Sequence, residues 1–146
     1  MLVKTMLNAK SRGPGIETIA PDAPIYQAAR RLSELHIGAL VVVDSKGALQ
    51  GILSERDIVR GVSARGELCL VARVSDLMSE TVHTCTENDT VESVMAVMTE
   101  RRVRHLPVLG PKGALVGIVT IGDVVKSRLD EARSEVDSLR LYVAAG

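Results

Sequence analysis

Aromatic residues are almost missing from this sequence: two Tyr, no Phe and no Trp in 146 residues. A core must then be built from Val, Leu, Ile, Met and Ala, and at 46% hydrophobic residues there is enough material for one. The same lack leaves few rings to stack on bases, as single-strand nucleic-acid binders do. Neither charge is in excess, since 18 Lys and Arg balance 18 Asp and Glu. A duplex binder carries a basic surplus to meet the phosphates, so no nucleic-acid partner is expected. Zero net charge also does nothing to oppose self-association. The two cysteines, Cys69 and Cys85, form no CxxC and have no histidine cluster nearby, which argues against a disulfide framework and against a metal site. No apolar run approaches the ~20 residues of a membrane span, so no membrane partner is expected. The opening MLVKTMLNAK is too short and too polar for a signal peptide. The expected location is the reducing cytoplasm.

What is present is a duplication. Residues 18–60 align with 84–126 without a gap, at an offset of 66, and 12 of the 43 positions are identical. The identities gather at a turn, Lys46-Gly47-Ala48-Leu49 against Lys112-Gly113-Ala114-Leu115, and at Gly51-Ile52 and Asp57 against Gly117-Ile118 and Asp123. Self-similarity at a fixed period marks a repeat architecture. Val74–Met78 also resembles Val3–Leu7, so each copy begins before the strict alignment. Copy one carries extra Gly- and Pro-rich residues, Lys10–Gly15, expected as a surface loop.

Each copy reads as β-α-β-β-α. A short extended piece, Glu17–Ala20 or His83–Thr86, leads to a helix from about Pro24 or Thr90, with Ile25, Ala28, Ala29, Leu32 and Leu35 at helical spacing. Asp22 and Asn88 stand where an N-cap would accept from free N–H groups. A buried strand follows at Ala39–Asp44 or His105–Leu109. The turns Ser45-Lys46-Gly47 and Pro111-Lys112-Gly113 offer Gly for positive φ. A further strand, Leu49–Leu53 or Leu115–Val119, ends where a helix begins near Ser54 or Thr120. One such unit cannot cover both faces of its sheet, but two packed about a pseudo-twofold axis can. The expected fold is therefore α/β (α+β): two such repeats in one module, over residues 1–68 and 69–128, with a helical tail over 129–146.

In Gly51-Ile-Leu-Ser-Glu-Arg-Asp57 and Gly117-Ile-Val-Thr-Ile-Gly-Asp123 a hydroxyl and an acid stand three residues apart at a helix start. That is capping-box spacing, and capping alone accounts for both residues. The same geometry also suits a ligand. A helix N-terminus offers free N–H groups to an anion, and a carboxylate in the first turn can accept from the two hydroxyls of a ribose. Gly51 and Gly117 would let a flat ring approach the backbone.

These segments, each behind a strand such as HIGALVVVD or VRHLPVLG, resemble cystathionine-β-synthase (CBS) domains, and two in tandem resemble the Bateman module. The likeness runs from about Val3 to Val125, and the expectation is a stand-alone pair of bacterial type, without a fused catalytic or membrane domain. The resemblance implies an adenosine-containing ligand (AMP first, with ADP, ATP or an NAD-type dinucleotide as alternatives). It implies that Asp57 and Asp123 hold ribose hydroxyls, and that Ser54 and Thr120 contact ribose or phosphate. Thr18, Ile19 and Ala20, with Thr84, Cys85 and Thr86, would reach the adenine. Ile37, Gly38 and Ala39, with Arg104, His105, Leu106 and Pro107, would line the cleft, joined by Arg56 and by Ile121 and Gly122 beside the acids. Arg104, His105 or Arg56 would face phosphates, since Arg suits bidentate phosphate contact. Arg101 and Arg102 read instead as a solvated helix end. His36 and His83 have no partner at interpretable spacing, and no nucleophile–base–acid set emerges, so no catalytic residue is expected.

Val125–Val143 reads as one long helix without Gly or Pro, on which Val125, Leu129, Ala132, Val136, Leu139 and Val143 form an apolar stripe. It can fold back on the core or meet another subunit. The second is expected, and the resemblance to modules that pair as discs implies a homodimer. The overall expectation is a non-catalytic, ligand-sensing regulatory module that signals through conformational change of a dimer. The alternative is a dimerisation or protein-interaction module in which the Ser/Thr and Asp residues are only caps.

Overall fold

The computed structural model describes residues 1–10 and 16–145. The Gly- and Pro-rich stretch expected as a surface loop falls, apart from Lys10, outside the described residues. Each copy forms the expected order. Copy one has β1 (Thr18–Ile19), α2 (Ile25–Leu35), β2 (Ala39–Val43), β3 (Leu49–Ser54) and α3 (Glu55–Arg65), preceded by α1 (Val3–Ala9). After a 3-10 segment, Gly66–Val71, come α4 (Val74–Leu77), β4 (Cys85–Thr86), α5 (Val91–Arg101), β5 (His105–Leu109), β6 (Leu115–Thr120) and α6 (Ile121–Ala145).

The strands make two three-stranded sheets, β1-β2-β3 and β4-β5-β6, each with one parallel and one antiparallel pair. Register is repeated at the 66-residue offset: Val42 faces Gly51 and Val108 faces Gly117, with an irregularity one residue on in both. The turns use the glycines as expected, at φ +81° for Gly47 and +76° for Gly113. Asp44 ties the first turn further, its Oδ1 accepting from the backbone N–H of Lys46 and of Ala48 at 2.9 Å each. Copy two has Gly110 at that position.

The helix starts depart from expectation in one respect. The N-caps are Pro24 and Thr90 rather than Asp22 and Asn88. Thr90 Oγ1 accepts from Ser93 N–H at 3.1 Å. The chain stays extended through Pro24, where Ile25 N–H bonds the Ala72 carbonyl at 2.9 Å.

The cores are aliphatic and exchanged. One cluster gathers Ile19, Ile25, Ala28, Leu32, Leu40, Val42 and Leu53 of copy one, and is completed by Cys69 and Val74. The other gathers Cys85, Val91, Val94, Met98, Leu106, Val108, Val119 and Val124 of copy two, and is completed by Val3 and Met6. The helix that precedes each repeat thus packs into the opposite one. Its backbone is pinned there: Val3 N–H donates to Asp89 O at 2.9 Å, and Val74 N–H to Ala23 O at 2.8 Å. Burying a Val fully stabilises by about 1.5–3 kcal/mol, and both Val3 and Val74 are fully buried.

The exchange explains the glycines before the motif. Added to Gly51, a Cβ would stand 2.7 Å from Ser79 O and 2.8 Å from Met78 Sδ; added to Gly117, 3.0 Å from the Leu7 methyls. The expectation of glycines cleared for a flat ring is corrected at Gly51: the room is taken by the segment that follows α4. At Gly117 it is shared with Leu7.

Candidate functional site

Both motif pairs close into reciprocal capping boxes. In copy one Asp57 Oδ2 accepts from Ser54 N–H at 2.9 Å and from Ser54 Oγ at 3.1 Å, while Asp57 N–H donates to Ser54 Oγ at 3.3 Å. In copy two Asp123 Oδ2 accepts from Thr120 N–H at 3.0 Å, and Asp123 N–H donates to Thr120 Oγ1 at 3.2 Å. The carboxylates then diverge. Asp57 is 8% exposed and has Arg60 of its own helix at 3.8 Å. The Asp123 side chain is 20% exposed and opens on a cleft of about 640 Å³.

That cleft joins the copies. One wall is Leu35, His36, Ile37, Gly38 and Ala39 of copy one, with Ile16 and Glu17 before β1. The other is Val116, Gly117, Ile118, Thr120 and Asp123 of copy two, and His105, Leu7 and Lys10 complete it. Each side is braced by its own copy: Glu55 N–H donates to Gly38 O at 3.0 Å, and Ile121 N–H to Arg104 O at 2.9 Å. Gly38 lies where the copies touch: a Cβ there would stand 3.1 Å from His105 Nε2, so the imidazole would have to shift by a few tenths of an ångström.

Of the residues expected to bind, this cleft brings together Ile37, Gly38, Ala39, His105, Thr120 and Asp123. Ile19, Cys85, Leu106 and Pro107 are buried in the sheets. Thr18 is half-buried; its carbonyl accepts from Arg31, which also pairs with Glu17 at 2.5 Å. Ala20, Thr84, Thr86 and Arg56 are exposed outside the cleft, as is Arg104, which contributes its carbonyl to the brace. Ile121 and Gly122 face a separate groove of about 500 Å³ along α6. Arg101 and Arg102 are exposed at the end of α5.

His105 enters the cleft half-buried, and burial pushes its pKa below the ordinary value of 6.5. Glu55 and Asp123 pull it upward, and Lys10 and Arg104 push it down. Burial therefore favours the neutral ring over the charged one. Burial, and then the charge of Asp89, raise the Cys85 thiol to about 11, so it remains an inert core thiol. Among the described residues no group of His, Cys, Asp and Glu could hold a metal ion.

Sequence reasoning missed Lys10. It follows α1, and its Nζ donates to Ile118 O at 3.0 Å and to Asp123 Oδ2 at 2.6 Å. Only the likeness of Val3–Leu7 to Val74–Met78 hinted that residues ahead of the repeat belong to the structure.

The family model for the CBS domain matches residues 13–64 and 74–130. The chain belongs to the CBS domain family. It is 37% identical over 129 residues to the mitochondrial CBS domain-containing protein CBSX3 of Arabidopsis thaliana, covering 86% of this chain and 62% of that one. The chain thus spans under two thirds of that relative's length. The crystal structure of the CBS-domain containing protein ATU1752 from Agrobacterium tumefaciens superposes with a TM-score of 0.83 at 42% identity, over 88% of this chain and 99% of that one. CBSX2, solved in complex with AMP, superposes with a TM-score of 0.70 at 25% identity, over 80% and 90% of the two chains. This CBS pair therefore has the two-sheet α/β fold expected of it, with a long last helix.

Proposed function

We propose that this CBS pair is a regulatory sensor that binds an adenosine-containing nucleotide between its copies, without turnover. AMP is the first choice, ahead of ADP, ATP or an NAD-type dinucleotide. The observation that carries this is the make-up of the cleft. An apolar wall, Ile37 to Ala39 with Ile118 and Val116, suits a flat base. Facing it, Asp123 stands in the first turn of α6. Among the described residues its Oδ1 accepts no hydrogen bond, which leaves it for ribose hydroxyls. The start of α6 offers its dipole to phosphate. The AMP complex of CBSX2 supports the choice of ligand. Asp57, closed on Ser54 and nearly buried, is the weaker second site.

We also propose that the sensor pairs with a second copy through α6 and α3. Val125, Leu129, Val136, Leu139 and Val143 of α6 are exposed, as are Val59 and Val62 of α3. Val59 and Val125 occupy the same place in the two copies. A charge at Leu129, as in Leu129→Glu, should shift sedimentation from dimer to monomer.

Ligand binding stabilises the folded state by mass action. AMP at millimolar concentration should raise the melting temperature, and Asp123→Ala should abolish the rise. No shift with AMP, ADP, ATP or NAD would sink the reading. The second reading is an interaction module whose Ser/Thr–Asp pairs only cap helices, and the closed capping boxes favour it. On that reading Asp123→Ala costs about 1 kcal/mol of stability and changes no affinity.

A further inference from the structure

The geometry points to Lys10 as the cation that fits this cleft to a phosphorylated adenosine rather than to the bare nucleoside, a step that rests on the nucleotide reading above. Lys10 is held in place from both ends. Its helix is fixed to copy two by Val3 N–H on Asp89 O and Lys4 N–H on Glu87 O, with Val3 and Met6 buried and Leu7 seated on Gly117. Its Nζ then spans Ile118 O and Asp123 Oδ2. An ammonium has three donors and these contacts use two. The side chain remains 39% exposed.

The charges around it give the cation its use. The cleft lining carries two acids, Glu17 and Asp123, and Lys10 is its one Lys or Arg among the described residues. Glu17 already pairs with Arg31. Burial lowers the His105 pKa and so favours its neutral ring. Among the described lining residues no other Lys or Arg stands beside Asp123 to compensate its carboxylate against a bound phosphate. With Lys10, the carboxylate is neutralised and a donor remains for a phosphate oxygen. Uncharged adenosine needs neither. Copy one carries no lysine at the matching place. Matched through Val3 and Val74, the place of Lys10 falls on Thr81, and Asp57 faces Arg60 from its own helix instead.

The test is calorimetric titration of AMP and of adenosine into the full chain and its Lys10→Met and Lys10→Arg variants, with thermal melts to check folding. Lys10→Met should weaken AMP on the order of tenfold or more while leaving adenosine within about threefold. Lys10→Arg, which keeps the charge, should retain most of the AMP affinity. Equal losses for both ligands would make Lys10 a support for Asp123 and overturn the proposal. So would tighter AMP binding by Lys10→Met, which would make Lys10 a competitor for the carboxylate, and so would unchanged AMP binding. Failure of the wild-type chain to bind AMP, ADP, ATP, NAD or adenosine would overturn the nucleotide reading itself. Wild-type binding with an indifferent Lys10→Met variant would overturn only the role of Lys10.

Discussion

The two copies share a scaffold and differ in what they do with it. Sheets, turns and capping boxes coincide at the 66-residue offset, down to the irregularity after Val42 and Val108. Yet copy one buries its motif acid and copy two opens it on a cleft. The last helices part as well. Gly66, at φ +60°, ends α3, whereas Ala132 occupies that place in copy two and α6 runs on to Ala145. Duplication supplied two equal frames, and a few side chains set them apart.

The exchange of α1 and α4 is the first place to press that comparison. Val3→Ala and Val74→Ala should each cost about 2–3 kcal/mol in urea unfolding, as buried truncations do. Hydrogen exchange would show which copy loosens. Val3→Ala should open the amides of β4 and α5, and Val74→Ala those of β1 and α2. Loosening of the copy that holds the mutation in sequence would refute the exchange.

The motif glycines should respond unequally. Ala at Gly51 presses on the backbone oxygen of Ser79, which cannot turn aside, and should cost about 1–3 kcal/mol. Ala at Gly117 presses only on the tip of Leu7 and should cost less than about 1 kcal/mol. Equal costs in thermal melts would mean that the two helices sit alike.

Two smaller effects complete the set. His36 and Arg102 hold the same left-handed conformation at φ +55°, closing α2 and α5. Glycine there relieves a backbone conformation that costs other residues roughly 1–2 kcal/mol, part of it returned as unfolded-state entropy. His36→Gly and Arg102→Gly should each raise stability slightly and by similar amounts, read from urea midpoints. His105 gives the copies different pH responses. Its folded pKa is lowered, so the unfolded chain takes up a proton first as pH falls. Its contribution is complete above about pH 6.5 and is lost as pH falls below that toward the folded value. His105→Gln should flatten the stability–pH curve in that window, and Ala39→Gln, its counterpart, should leave the slope as it is.

Much of the fold was legible because its signals are local and stated twice. Gly47 and Gly113 announced the turns, and Ser54 with Asp57 and Thr120 with Asp123 announced the helix starts. The helical caps were less legible, because Pro24 is held extended by Ala72, a residue far along the chain. The candidate cleft was legible in its acid, Asp123, and in the Ile37–Ala39 wall. It was not legible in Lys10, which meets Asp123 across 113 residues of sequence. Nor could spacing tell that Arg104 would turn outward while His105 turned in.

Amide NMR during an AMP titration tests the central claim, that the copies are unequal and the cleft at Asp123 is the one that binds. Shifts should gather at residues 36–39, at His105 and at 117–123, and Asp123→Ala should remove them. Shifts centred on Ser54–Asp57, or none at millimolar AMP, would contradict it.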